Sequence, residues 1–400
     1  MPSPAVETQS PGFPTVAVVG GGQLARMLVP PAVALGVHLR VLAEDAADSA
    51  ALVAAHAVGR ADDEAAVRAV ADGAAVVTFD HEHVPQPLLA ALEADGLAVR
   101  PGAAALLHAQ DKLAMRRRLA ALDVPVPAWA EVGDVTALDD FVAAHEGGAV
   151  LKTPRGGYDG KGVLVVRDGD AEARATAASW FERAGGAPLL VEELVPFTRE
   201  LAVLLARSPS GQAALWPVVE TVQEAGVCRE VLAPAPGLDD DLAGEAAHVA
   251  LRVAGELGVT GVLAVEGFEV PGPHGPRFLV NELAMRPHNS GHWTIDGSTT
   301  SQFEQHLRAV LDLPLGDTRA RTRWTVMANV LGGEHPDLYR AYLHVMARDP
   351  GVKVHLYGKA VRPGRKIGHV TVSGDDPDGL DALRERARHA ADYITGTVTE

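Results

Sequence analysis

The sequence predicts a mixed α/β protein, α+β overall, that opens with a parallel α/β domain. Three observations predict it. Short β-branched runs alternate with helix formers over residues 15–108. A glycine- and lysine-rich loop at 152–162 joins two apolar runs. Two acid-ended strands follow at 261–270 and 277–282.

Residues 1–12, rich in Pro and Ser, read as a disordered tail. They lack the basic start and apolar middle of a signal peptide. Thr15–Val19 is a strand, followed by Gly20-Gly-Gly-Gln-Leu-Ala25 and a helix that Pro30-Pro31 should end or kink early. Val37–Leu42, running into Glu44-Asp45, and Ala75–Phe79 are the next strands of a domain spanning 13–110. A central domain follows over 111–315, with a lid part at about 125–195. In it, 111–122 is a helix with Asp111 near its start, and Val124-Pro-Val-Pro127 is a linker turn. Residues 149–166 carry a hairpin, Leu189–Val195 is a strand, and Glu200–Ala206 pairs with Ala213–Val219. Residues 240–257 are helical by period. Gly261–Val270 and Arg277–Glu282 are strands joined by the turn-rich Pro271-Gly-Pro-His-Gly-Pro276, and 300–311 is an amphipathic helix. A small β-rich C-terminal domain over 316–400 mixes short strands with a Gly/Pro/basic loop at 358–368.

Composition narrows the function. Four hundred residues with 47% apolar and 22% charged side chains suit about two or three globular domains. A net charge of −17, with no long basic run, disfavours nucleic acid or an anionic membrane as partner. The single cysteine, Cys228, excludes an intramolecular disulfide and any multi-cysteine metal site. No stretch of about eighteen apolar residues occurs, and a cytoplasmic protein is expected.

Residues 152–162 read Lys-Thr-Pro-Arg-Gly-Gly-Tyr-Asp-Gly-Lys-Gly. Four glycines within 156–162 let backbone N–H groups turn inward around a polyanion, and Lys152 and Lys161 supply compact positive charge. A strand follows instead of a helix, and the G-x-x-x-x-G-K-[ST] spacing is absent, so this is a hairpin lid over a nucleotide triphosphate and not a Walker loop. Only six of thirty-five basic residues are lysines: Lys112, Lys152, Lys161, Lys353, Lys359 and Lys366. Arginine serves the surface, so the remaining lysines mark places where a point-like ammonium suits.

Gly20-Gly-Gly-Gln-Leu-Ala25 fits a dinucleotide fingerprint, but its physical content is a helix N-terminus open to an anion. NAD or FAD, a phosphate-bearing substrate and a plain tight turn all remain open for it. Glu266 and Glu282, on adjacent strands with Asn281 beside them, suit Mg²⁺, which takes hard oxygen ligands and shares them with phosphates; solvated strand-end acids are the alternative reading. Arg286-Pro-His-Asn-Ser-Gly-His292 is dense in donors and reads as a site loop; its proline, glycine and lack of helix argue against zinc. Phe79-Asp-His-Glu-His-Val-Pro85 follows a strand end, where α/β sheets bind ligands, and Glu82 suits ribose hydroxyls. Tyr357–Lys366 is a basic hairpin in an acidic chain, which suggests an anionic small molecule or only a solvated turn.

Together these motifs resemble the ATP-grasp superfamily and, within it, the 5-(carboxyamino)imidazole ribonucleotide synthases of purine biosynthesis. The resemblance runs from about residue 15 to about 372 and is carried by Gly20–Leu24, Gly156–Gly162, Arg286–His292, Ser301-Gln-Phe-Glu-Gln-His306 and Gly364-Arg-Lys-Ile-Gly-His369. It implies an ATP-grasp fold behind a pre-ATP-grasp domain, and ATP- and bicarbonate-dependent carboxylation of 5-aminoimidazole ribonucleotide through carboxyphosphate. It places ATP at Lys112, Lys152, Gly157, Tyr158, Asp159, Gly160, Lys161, Gly162, Val163, Glu192, Glu193, Leu194, Val195, Glu200, Gln223, Asn281 and Glu282. It places Mg²⁺ at Glu266 and Glu282, and the ribonucleotide at Gly22, Gln23, Leu24, Glu82, His288, Asn289, Lys359, Arg365 and Lys366. Asp159 would accept the proton, with Tyr158, Arg286 and Lys359 as the other catalytic residues. It also implies a homodimer. The alternatives are another ATP-grasp ribonucleotide carboxylase or formyl transferase, and a nucleotide-binding protein without catalysis, against which Asp159, Glu266 and Glu282 argue.

Overall fold

The computed structural model describes residues 12–156, 162–224, 226–333 and 337–398, arranged around three sheets. Apart from Gly12, the expected N-terminal tail lies outside the described residues. The first sheet is parallel, in the order β3-β2-β1-β4, from β1 (Thr15–Val19), β2 (His38–Ala43), β3 (Ala55–Val58) and β4 (Val76–Phe79). Every residue of β1 and β4 is buried, which is why they read as continuous apolar runs.

The helix Gln23–Leu35 that follows β1 runs on through Pro30 and Pro31, so the early end expected from the prolines is corrected. Pro30 is exposed, while Leu28 and Ala32 pack with Phe303 and Leu307 in one buried cluster. That packing outweighs the lost backbone bonds.

The second sheet is antiparallel, in the order β5-β8-β6-β7, from β5 (Trp129–Val132), β6 (Ala149–Lys152), β7 (Val163–Val166) and β8 (Leu189–Glu193). Ala149 pairs with Val166 and Lys152 with Val163, so the hairpin forms where the glycine loop suggested. The third sheet has nine strands among the described residues: β9 (Arg199–Arg207), β10 (Ala213–Leu215), β11 (Val219–Glu224), β12 (Val227–Ala233), β13 (Gly261–Val270), β14 (Arg277–Ala284), β15 (Trp324–Leu331), β16 (Lys353–Leu356) and β17 (Lys366–Gly374). Their order is β14-β13-β9-β11-β12-β15-β17-β16, with β10 beside β9. The single strand expected over 213–219 is corrected to two. Pro217 lacks an N–H for the ladder, so β10 stops at Leu215 and pairs with one end of β9, while β11 starts at Val219 and pairs with the other.

The C-terminal strands continue this sheet, Glu230 of β12 lying opposite Ala328 of β15. Two helices that the sequence reading passes over, Ala341–Arg348 and Leu380–Thr395, cover it, burying Val345, Leu383, Ala387 and Ile394 against Val326 and Val370. The helix Gln302–Val310, expected to be amphipathic, has polar side chains buried as well: Gln302, Gln305 and His306. It is wedged between the parallel sheet and β13. His306 Nδ1 accepts from the Val262 N–H at 3.1 Å, so its proton sits on Nε2 and is donated to Thr78 Oγ1 at 2.8 Å. A continuous core joins the parallel sheet to the large one through Phe79, Leu106, Met115, Val203, Val265 and Met285.

Candidate active site

A cleft of about 940 Å³ opens where the three sheets meet. On one wall, Lys152 at the end of β6 lies 2.5 Å from Glu192 Oε2 of β8 and donates to Asn281 Oδ1 of β14 at 3.0 Å. Glu192 is nearly sealed from solvent, and Arg116, fully buried, bonds its other oxygen and donates to the Asn281 carbonyl at 2.7 Å. Burial opposes ionisation of Glu192, but Lys152 and Arg116 outweigh it and hold its carboxyl below the usual range. Burial pushes the Lys152 ammonium down from its ordinary value. Lys112 starts the helix Lys112–Ala121, which Asp111 caps by accepting from Ala114 N–H at 3.0 Å. The Lys112 ammonium is thereby directed onto Glu282, with which it pairs.

Glu266 of β13 stands directly opposite Glu282 of β14. Burial, then the neighbouring charges of Glu282 and Glu200, push the Glu266 carboxyl up to about 7. Such an arrangement wants a cation. Among the described residues no three His, Cys, Asp or Glu side chains close a metal cage. Two carboxylates with room for phosphate oxygens fit Mg²⁺, which binds by few protein ligands and completes its shell from substrate and water.

At the other end, Arg286 Nε donates to Glu82 Oε2 at 2.8 Å. His288 Nε2 faces Glu266 Oε1 at 3.4 Å. Its Nδ1 accepts from the Ser290 N–H at 3.3 Å, so the proton sits on Nε2. Burial, then Arg286 and Lys366, push this ring down to about 3, so it meets Glu266 as a neutral donor. Among the described residues, Glu82 Oε1 is buried without a hydrogen-bond partner.

Residues 117–303 match the ATP-grasp domain family, 13–110 the ribonucleotide synthetase preATP-grasp domain, and 325–383 the phosphoribosylaminoimidazole carboxylase C-terminal domain. The chain is 56% identical over 386 residues to the N5-carboxyaminoimidazole ribonucleotide synthase of Mycobacterium tuberculosis, covering 96% of this chain and 88% of that one. The chain belongs to the N5-carboxyaminoimidazole ribonucleotide synthase family. Its fold is that of the family's solved structures. The synthetase from Thermus thermophilus matches with a TM-score of 0.81 at 39% identity, over 96% of this chain and 99% of that one. The synthase from Aspergillus clavatus, in complex with ADP and 5-aminoimidazole ribonucleotide, matches with a TM-score of 0.84 at 30% identity, over 96% and 98%. The mixed α/β class with an ATP-grasp centre is borne out.

The cleft gathers most residues singled out in the sequence. Gly22, Gln23, Leu24 and Glu82 enter from the parallel sheet. Lys112 comes from the helix Lys112–Ala121, and Lys152, Val163, Glu192, Glu193, Leu194 and Val195 come from the second sheet and the chain just after it. Glu200, Gln223, Glu266, Asn281, Glu282, Arg286, His288, Asn289 and Lys366 come from the large sheet. Gly157, Tyr158, Asp159, Gly160 and Lys161 lie outside the described residues. Gly162 closes the hairpin, its carbonyl accepting from the Thr153 N–H at 3.0 Å. Lys359 does not line the cleft itself but bonds Gln23 Oε1, which does. Arg365 also stands off the wall, donating to the Ala360 carbonyl at 3.2 Å within its own hairpin.

Three residues have roles that the sequence reading does not assign. Asp80 bonds the Gly22 N–H and accepts from the Ala25 N–H at 3.2 Å, so a carboxylate already occupies part of the first helix's N-terminus. The expectation of an N-terminus open to an anion is corrected accordingly. A Cβ at Gly22 would lie 2.2 Å from Asp80 Oδ2, so any larger residue here displaces that carboxylate. Arg116 leaves one signal in the sequence: it takes a core position between Leu113 and Leu119 on one helix face. Gln302 leaves none beyond the motif that contains it.

Proposed function

We propose that this enzyme carboxylates the exocyclic amine of 5-aminoimidazole ribonucleotide, using ATP and bicarbonate. What supports it most is the convergence, in one cleft, of the Lys112/Lys152 wall, the Glu266–Glu282 pair and the Arg286–Glu82 end. The Aspergillus clavatus relative bound to ADP and aminoimidazole ribonucleotide supports the same substrates. A bicarbonate oxygen attacks the γ-phosphorus of ATP, and ADP leaves. The resulting carboxyphosphate passes its carboxylate to the amine, phosphate departs, and the amine proton goes to a base, which we assign to Asp159. Lys112 and Lys152 neutralise phosphate oxygens in a setting where the ammonium replaces water. Glu266 and Glu282 would hold Mg²⁺, whose charge when bound offsets that of the β- and γ-phosphates. Arg286, His288, Asn289, Gln23 and Lys366 orient the ribonucleotide and bicarbonate. A cytoplasmic homodimer completes the reading; among the described residues no helix is long and apolar enough to cross a membrane.

Phosphate release measured with each component omitted in turn tests this. It is expected to need Mg²⁺ and bicarbonate, to rise strongly with aminoimidazole ribonucleotide, and not to rise with glycinamide ribonucleotide. Equal stimulation by both ribonucleotides refutes the substrate assignment.

The basic hairpin yields a second test. Lys359 braces Gln23 across the cleft mouth, whereas Arg365 bonds inside the hairpin. Lys359→Ala is therefore expected to raise KM for the ribonucleotide by about tenfold or more, the worth of a charge-assisted hydrogen bond. Arg365→Ala should have the smaller effect. A change confined to KM for ATP assigns the hairpin to the nucleotide instead.

A further inference from the structure

The helix Gln302–Val310 carries a buried polar residue that the reaction outlined above does not use. Gln302 is completely buried, and its carboxamide is spent on the Arg286–His292 loop. Oε1 accepts from the His288 N–H at 2.7 Å, and Nε2 donates to the His288 carbonyl at 2.7 Å. An amide N–H can only donate and a carbonyl can only accept, so the orientation of the carboxamide is fixed. Nε2 also lies 2.9 Å from His292 Nδ1. With the carboxamide so oriented, Nδ1 must be the acceptor, and the His292 proton sits on Nε2. The loop rests directly on this side chain: a Cβ on Gly291 would lie 2.5 Å from Gln302 Oε1. The Gln302 N–H donates to Thr294 Oγ1 at 2.9 Å, which in turn donates to the Gly291 carbonyl at 2.5 Å. His292 is fully buried among Phe303, Tyr357 and His369, with ring centroids 5.7, 6.3 and 5.0 Å away, and it lines the cleft. Its Nε2 has no partner among the described residues.

We propose that Gln302 is a positioning residue for the ribonucleotide end of the cleft. It holds the His288 peptide and locks His292 as the Nε2–H tautomer, so that the loop offers a neutral donor there and not an acceptor. The substrate side of this inference rests on the reaction proposed above; the tautomer does not. The acceptor is an anionic oxygen, from either the ribonucleotide or bicarbonate, and their separate KM values tell the two apart.

Gln302→Glu keeps the size and, as the carboxylate, has no proton to donate. It should draw the His292 proton onto Nδ1 and leave Nε2 bare. Long-range ¹H–¹⁵N spectra of histidine-labelled enzyme, with His292 assigned by its loss in His292→Phe, are expected to show the proton on Nε2 in the native chain and on Nδ1 in the variant. KM for the ribonucleotide or bicarbonate should rise roughly tenfold in both variants, as loss of one hydrogen bond to a charged group predicts, with KM for ATP within about twofold. His292→Gln, which can place an N–H near the same point, should restore part of the loss. His292→Phe keeps the test alive should Gln302→Glu fail to fold. A native proton on Nδ1, kinetics of His292→Phe like those of the native chain, or equal rises in all three KM values each overturn the proposal. If the native enzyme instead ignores aminoimidazole ribonucleotide, the reaction assignment fails, and the spectra still decide the tautomer.

Discussion

Glu282→Gln is expected to abolish turnover, by on the order of a hundredfold or more, while the protein stays folded. The substitution preserves shape and removes one negative charge opposite Glu266. Loss of charge stabilisation around a transferring phosphoryl group costs about 3 kcal/mol or more in the barrier. The folding cost should be small, because the Glu282 side chain is 40% exposed and its ion pair with Lys112 is partly screened. A second consequence follows from the electrostatics. Burial is the main cause that raises the Glu266 carboxyl, and Glu282 is the next. Neutralising Glu282 should therefore let Glu266 ionise more readily in the metal-free protein. Phosphate release and thermal unfolding of the variant check both statements. Turnover near the native rate would remove Glu282 from the site.

The legible parts of this chain are those where local chemistry and tertiary structure agree. Gly261–Val270 can be read to the residue because a glycine and a proline bound a mostly apolar, β-branched run, broken only by Glu266, Gly267 and Glu269. The hairpin at 149–166 can be read because glycines between apolar runs leave the chain few other courses. Pro30-Pro31 misleads because the local rule ignores that Leu28 and Ala32 are clamped by the helix Gln302–Val310. The helix Leu380–Thr395 was readable: Leu383, Ala387, Ala390 and Ile394 recur at helical spacing. In the site, lysines and strand-end acids announce themselves by residue type. Contacts between distant segments do not. Asp80 meets Gly22 58 residues away, and Gln302 meets His288 across a turn whose course no periodicity encodes.

Arg116→Met should be the most damaging substitution outside the reacting groups. Arg116 is fully buried, and its fork joins three pieces: the helix Lys112–Ala121, Glu192 of the second sheet and the Asn281 carbonyl of the large sheet. Methionine fills similar space but leaves Glu192 buried with only Lys152 to balance it. Removing one partner of a buried ion pair costs about 3–5 kcal/mol. The remaining Lys152 contact places this case at the lower end, about 3 kcal/mol. The functional loss should exceed the structural one in specificity. Freed of Arg116, Glu192 can swing with Lys152, whose ammonium also bonds Asn281, so KM for ATP should rise more than KM for the ribonucleotide. Arg116→Lys should recover only part, since a point charge cannot serve Glu192 and the Asn281 carbonyl together. Combining Arg116→Met with Glu192→Leu removes the stranded carboxylate, so the double variant should be less destabilised than the sum of the singles. Denaturant unfolding of the four proteins with ATP titrations decides the matter. Additive losses, or native ATP affinity in Arg116→Met, would show that the Arg116–Glu192–Lys152 chain does not set the nucleotide wall.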